Sequence, residues 1–204
     1  MTRAGLRLTD LACLRGGRML FRGVSLALEP GEGALLVGPN GVGKSSLLRI
    51  CAGLLPAFSG TITRRGSIAL ADDRLALDME RPLVLTLEFW AQLDRAEPAK
   101  LAAALDAMAL TPLAYVPVRM LSTGQRKRAA LARVIASNAD IWLLDEPANG
   151  LDAASTDLLG AAVRRHLTAG GIVLAASHQP LPIDGPVTIA LQDYQATDDR
   201  ADAA

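Results

Sequence analysis

The chain has 204 residues, half of them apolar and only 3% aromatic, and its 21 acidic and 21 basic side chains cancel. That length suits one α/β domain with a substantial core and a small inserted subdomain, and it excludes a long multidomain enzyme. The neutral balance supplies no global field for nucleic acid or an anionic membrane, and no apolar run reaches the ~20 residues that span a bilayer.

Residues 1–5 lead into alternation rather than an apolar leader, so no signal peptide is expected. Residues 6–13 and 20–28 alternate as half-buried strands and predict an antiparallel edge layer, with a turn at residues 14–18 between them. Cys13 and Cys51 lie far apart in apolar neighbourhoods without metal or redox spacing, which predicts buried, reduced thiols.

The turn Glu29-Pro30-Gly31-Glu32 feeds an apolar run, residues 34–37, that reads as a buried strand. It is followed by Gly38-Pro39-Asn40-Gly41-Val42-Gly43-Lys44-Ser45 and then by Ser46 and a helix-like segment. The spacing G-x-x-x-x-G-K-S is that of a phosphate-binding loop. Backbone N–H groups curl around nucleotide phosphates, the lysine reaches the β and γ groups, and the serine hydroxyl meets Mg²⁺. Glycine is needed where a Cβ would block that approach, and the helix N-terminus turns its positive end to the phosphates.

Residues 59–63 and 67–70 predict two short strands. From about residue 81 to 138 the period becomes helical, with candidate helices over 86–93, 98–110 and 125–136, and this stretch is expected to be an inserted helical subdomain. Phe89 and Trp90 would point in different directions on a helix, one into the core and one toward a partner. The turn Leu121-Ser122-Thr123-Gly124-Gln125 opens the last of these helices and offers a second anion-binding N-terminus. One triphosphate has little use for two such ends in one chain, so the turn makes sense if two copies meet head to tail. The basic residues 126–128 alone would be a solvated face or a nucleic-acid patch.

After Asp140 the α/β pattern returns, with strands predicted over 141–144, 172–176 and 187–191 and a helix over 154–167. The run Ile141-Trp142-Leu143-Leu144-Asp145-Glu146 reads as a parallel strand buried on both faces whose carboxyl end opens onto a ligand crevice. Asp145 there can hold Mg²⁺ through water, and Glu146 can act as general base toward an attacking water. His178, just beyond the strand at 172–176, can reach a γ-phosphate at the same edge, whereas His166 receives no role. The single domain is expected to divide into a core, about 1–80 and 139–192, the helical subdomain, about 81–138, and a frayed acidic tail, about 193–204.

These elements in this order resemble the ATP-binding subunit of ABC transporters over nearly the whole chain, namely the phosphate loop, residues 121–125, Asp145-Glu146, Gly150-Leu151-Asp152 and His178. The resemblance implies a P-loop NTPase fold and a sandwich dimer with a second copy of the chain. ATP would be held on residues 38–46, and Ser122, Gly124 and Gln125 of the other copy would close over it. It also implies Asp145 for Mg²⁺, Glu146 and His178 for catalysis, and Asp152 in a dimer-contacting loop. The short length, the signature Leu-Ser-Thr-Gly-Gln-Arg-Lys-Arg, Phe89-Trp90-Ala91 and Ser177-His178-Gln179-Pro180-Leu181 further resemble the CcmA family, the ATP-binding subunits of haem exporters in cytochrome c maturation. That likeness implies an integral membrane permease as partner, attachment to the cytoplasmic face of the inner membrane only through it, and no nucleic-acid partner. The competing expectations are an ATPase subunit serving lipoproteins, ions or small solutes, and a soluble ABC ATPase acting on DNA or ribosomes.

Two positions depart from the family pattern. Where such proteins carry a glutamine contacting Mg²⁺, this chain reads Leu70-Ala71-Asp72-Asp73-Arg74, and Asp73 falls nearest the place. Where an aromatic side chain usually stacks on adenine, Arg15 occupies the turn, and its guanidinium can stack by cation–π contact.

Overall fold

A computed structural model describes residues 4–72, 74–178, 181, 183 and 185–195. Thirteen helices and strands follow in chain order: β1 (Gly5–Arg15), β2 (Arg18–Leu28), β3 (Gly33–Val37), α1 (Lys44–Cys51), β4 (Ser59–Arg65), β5 (Ile68–Ala71), α2 (Leu83–Leu93), α3 (Pro98–Ala107), α4 (Thr123–Ala136), β6 (Ile141–Asp145), α5 (Ala153–Thr168), β7 (Ile172–Ala176) and β8 (Val187–Ala190). The elements expected from the period of the sequence form, with boundaries moved by a few residues. β1 and β2 meet across Gly16-Gly17, both at positive φ (55° and 78°), a two-residue hairpin turn that a side chain would strain. β4 pairs with the free edge of β1, so the edge layer is a three-stranded antiparallel sheet, β2-β1-β4.

The second sheet has five parallel strands in the order β5-β6-β7-β3-β8. Its central strands β6 and β7 are buried at every residue, which is why their sequences are continuously apolar. Side chains still alternate between two cores. Ile141, Leu143, Ile172 and Leu174 pack with α1 and the antiparallel sheet, whereas Trp142, Leu144, Val173 and Ala175 pack with the helical segment and α5. A fully buried leucine such as Leu143 contributes on the order of 2 kcal/mol. The same parity turns Asp145 toward the α1 side of the sheet.

α3 stops at Ala107, three residues before the expected end. Ala109 takes a left-handed φ of 50°, Ala109 N–H donates to Asp106 O (2.9 Å) and Leu110 N–H donates to Leu105 O (2.7 Å). This is a Schellman end built without glycine, so no residue in the sequence marks it. Arg128 closes the same end from α4, donating to the carbonyls of Met108 (2.8 Å) and Ala109 (3.3 Å). Arg126, Lys127 and Arg128 are all half-buried, so the basic cluster is not the solvated face that its charge alone suggests. Leu191–Tyr194, which runs from the expected core into the expected tail, forms a 3₁₀ turn with Leu191 fully buried, and residues 196–204 lie outside the described residues. Both cysteines are free and buried, and burial pushes the Cys51 thiol up to about 12.

Candidate functional site

Strand order builds the site. β7 lies between β6 and β3, so the loops leaving β3, β7 and β6 emerge side by side although they are far apart in sequence. Ala176 aligns with Leu36 on one flank and Asp145 on the other. Ser177 N–H donates to Leu36 O (3.3 Å) and Glu146 N–H to Ala176 O (2.8 Å), so the three chain ends are tied together just as they leave the sheet.

The loop after β3 has Gly38, Gly41 and Gly43 at φ of 139°, 80° and 115°, values that a Cβ disfavours. A Cβ on Gly38 would also stand 2.6 Å from Gln192 Oε1. Gly43 caps α1 without any side-chain hydrogen bond, which leaves the first amides of the helix unclaimed by a side-chain cap. Val42 is buried and anchors the loop to the core. Lys44 bends back over the loop, and its Nζ donates to Gly38 O at 2.7 Å and Pro39 O at 3.3 Å.

The other two loops meet that ammonium. Glu146 stands at φ 46°, a left-handed value unusual for a residue with a side chain, which turns it out of the strand direction. Its Oε1 lies 3.8 Å from Lys44 Nζ and 3.1 Å from His178 Nε2, and its Oε2 accepts from His178 N–H at 3.2 Å. His178 Nε2 is also 3.1 Å from Lys44 Nζ and 2.7 Å from Asn40 Oδ1. A cation, a carboxylate and an amide thus converge on one imidazole nitrogen, at 2.7–3.1 Å. Beside them opens a cleft of about 310 Å³ lined by Arg15, Leu20, Asn40, Gly41, Gly43, Lys44, Ser45, Ser46 and Glu146. Arg15 is exposed at its rim, and Asp145 is 8% exposed at the end of β6. The Asp145 carboxylate and the Ser45 hydroxyl are hard oxygen donors of the kind that hold Mg²⁺ together with substrate phosphates and water, rather than an all-protein cage. No group of three or more His, Cys, Asp or Glu side chains converges among the described residues.

The turn at residues 121–125 stands apart from this cleft. Ser122 caps α4 in a reciprocal box, its Oγ accepting from Gln125 N–H (3.2 Å) and Gln125 Oε1 accepting from Ser122 N–H (2.8 Å). Gly124 packs on the following loop, where an added Cβ would sit 3.4 Å from Gly150 O. Asp152 caps α5 by accepting from Ser155 N–H (2.8 Å), and the Ser155 hydrogen bonds hold its carboxyl below the usual carboxylate range. Asp73 lies outside the described residues. Its neighbour Asp72 pairs with Arg49 of α1, with Nη2 to Oδ2 at 3.3 Å. Trp90 is half-buried under Arg133, whose Cζ lies 4.9 Å from the ring centroid, while Phe89 is 52% exposed. His166 stacks flat on Trp142 (3.9 Å, 7°), and burial pushes it toward the neutral form.

Sequence reasoning did not find the side-chain role of Asn40 or the Arg49–Asp72 pair. Neither leaves a pattern, because each joins segments that only the fold brings together.

Comparison with known proteins places the arrangement. Residues 21–149 match the ABC transporter family. The cytochrome c biogenesis ATP-binding export protein CcmA of Novosphingobium aromaticivorans is 53% identical over 195 residues, covering 96% of this chain and all of that one. The CcmA of Sphingopyxis alaskensis is 55% identical over 178 residues, covering 87% and 92%. Among solved structures, a Pyrococcus furiosus protein described as an ABC transporter ATP-binding protein superposes with a TM-score of 0.83 at 23% identity, covering 94% of this chain and all of that one.

Proposed function

The chain belongs to the ABC transporter family and within it to the CcmA proteins, and from that premise we propose that it is the ATP-hydrolysing subunit of a haem exporter serving cytochrome c maturation. The observation that carries the reading is the convergence of Lys44 Nζ, the Glu146 carboxylate and His178 Nε2 at neighbouring strand ends.

Phosphoryl transfer to water needs positioning and charge stabilisation rather than covalent chemistry. Lys44 and the amides of residues 38–46 hold the β- and γ-phosphates in this reading, and Arg15 stacks on the adenine. Ser45 and Asp145 would hold Mg²⁺, with Asp73 the remaining candidate from the loop after β5, and the ion bound there would supply positive charge against the charge that develops in phosphoryl transfer. Glu146 orients the attacking water and takes its proton, and its left-handed backbone supports this by turning the carboxylate toward Lys44. His178 contacts the γ-phosphate.

The second half of the site comes from another copy, whose Ser122, Gly124 and Gln125 close over the γ-phosphate. The 52% exposure of Phe89 on α2 suits residues 81–138 to face an integral membrane permease. No helix among the described residues is long and apolar enough to cross a membrane. In this reading the permease holds the chain at the cytoplasmic face of the inner membrane.

The test is ATP turnover by the chain co-purified with its membrane partner. Glu146→Gln should lower turnover by about 10²–10⁴-fold while ATP still drives the chain to a dimer on a sizing column. Turnover equal to that of the parent would remove Glu146 from the site. A lipoprotein or metal permease as the co-purifying protein would overturn the haem assignment and leave the ATPase standing.

A further inference from the structure

The geometry points to Asn40 as a positioning residue that acts through His178. Asn40 belongs to the phosphate loop, where backbone amides do the binding, yet its side chain does something separate. Its Oδ1 lies 2.7 Å from His178 Nε2, the shortest contact that nitrogen makes. This contact joins the loop after β3 to the loop after β7, 138 residues apart.

The chemistry at Nε2 explains why an amide stands there. One ring nitrogen has one in-plane position, which it fills with either a hydrogen or a lone pair. Lys44 Nζ, 3.1 Å away, can only donate, whereas Glu146 Oε1, at the same distance but without a hydrogen bond to the ring, favours a proton there through its charge. These two neighbours ask for opposite states of the same nitrogen. An asparagine amide presents oxygen to Nε2–H or, after a half-turn about its terminal torsion, N–H to the bare nitrogen. It can therefore hold the ring in one place whichever way the proton lies. The His178 backbone is held separately, its N–H donating to Glu146 Oε2 at 3.2 Å.

This inference rests on the reading of His178 as the group that contacts the γ-phosphate, and the experiment separates the two. The chain has two histidines, so ¹⁵N imidazole spectra of the full chain contain two ring systems, and His166, stacked on Trp142, is the internal reference. In Asn40→Ala the His178 ring nitrogens should move toward the values of a solvated ring exchanging between tautomers, while those of His166 stay put. In the complex with its permease, Asn40→Ala should lower kcat about tenfold or more with KM for ATP changed by less than about twofold, because a displaced group costs turnover rather than ground-state binding. Combined with His178→Ala, Asn40→Ala should cost nothing further. Unmoved His178 signals in Asn40→Ala overturn the inference, as does an additive loss in the double variant, which would make Asn40 a direct phosphate ligand. A His178→Ala variant with full turnover would instead remove the histidine from the proposed site, whatever the spectra show.

Discussion

The loop at residues 38–45 and the turn at residues 121–125 both open helix N-termini, but they are finished in opposite ways. α1 begins on Gly43 with no side-chain cap, and Lys44 is held by the loop's own carbonyls and by residues from two other strand ends. α4 begins on Ser122 with both halves of a capping box closed. The first end leaves amides for a ligand and surrounds them with chemistry. The second engages the amides of Ser122 and Gln125 in its own box. A serine hydroxyl that accepts from Gln125 N–H keeps its own hydrogen to donate. Such a turn is suited to complete a site in another molecule.

The comparison breaks first at Lys44. Lys44→Ala removes the cation that faces Glu146 and His178, and ATP turnover in the complex should fall by about 10³-fold. Residual turnover near the parent value would mean that the α1 end is not the phosphate site. A sharper test uses both ends at once. Ser122→Ala should lower Tm by about 3 °C, the loss of a cap worth about 1 kcal/mol, and should depress turnover as well. If the turn of one copy serves the loop of the other, mixing Lys44→Ala chains with Ser122→Ala chains creates one intact site per mixed dimer. Turnover of the mixture should then exceed the average of the two variants measured alone. A mixture no better than that average would assign the turn to its own chain's loop.

The smallest effect lies outside both ends and serves as a control. Ala109 holds a left-handed helix terminus that glycine occupies without strain, so Ala109→Gly should stabilise by about 0.5–1 kcal/mol. A thermal melt should rise by about 2 °C with turnover unchanged. A fall in Tm would show that the chain end of α3 depends on the Ala109 methyl rather than on backbone conformation.

Legibility followed the range of the interaction. Periods of two and 3.6 residues come from neighbours along the chain, so residues 6–13, 20–28, 125–136, 141–144 and 172–176 announce their elements. The end of α3 was hidden because an alanine took the conformation that glycine usually signals. The pairing of β4 with β1 was hidden because a short strand carries no mark of its partner. In the site, the loop lysine, the strand-end acids and the histidine could be picked out by residue type and place in the chain. The amide of Asn40 could not, since glycine spacing accounts for the loop without it.

The sequence by itself determined the inventory: a glycine loop that a backbone can wrap around phosphates, a strand buried on both faces with acids at its end, and a serine-capped turn that a single site does not need. Only the tertiary structure decided how these meet. Placing β7 between β6 and β3 puts three distant loops at one edge, and the parity of β6 turns Asp145 to the side of α1. It also brings the Lys44 ammonium, the Glu146 carboxylate and the Asn40 amide to 2.7–3.1 Å from His178 Nε2. Strand order is set by which faces can be buried together, a property of the whole sheet that no local stretch of chain contains.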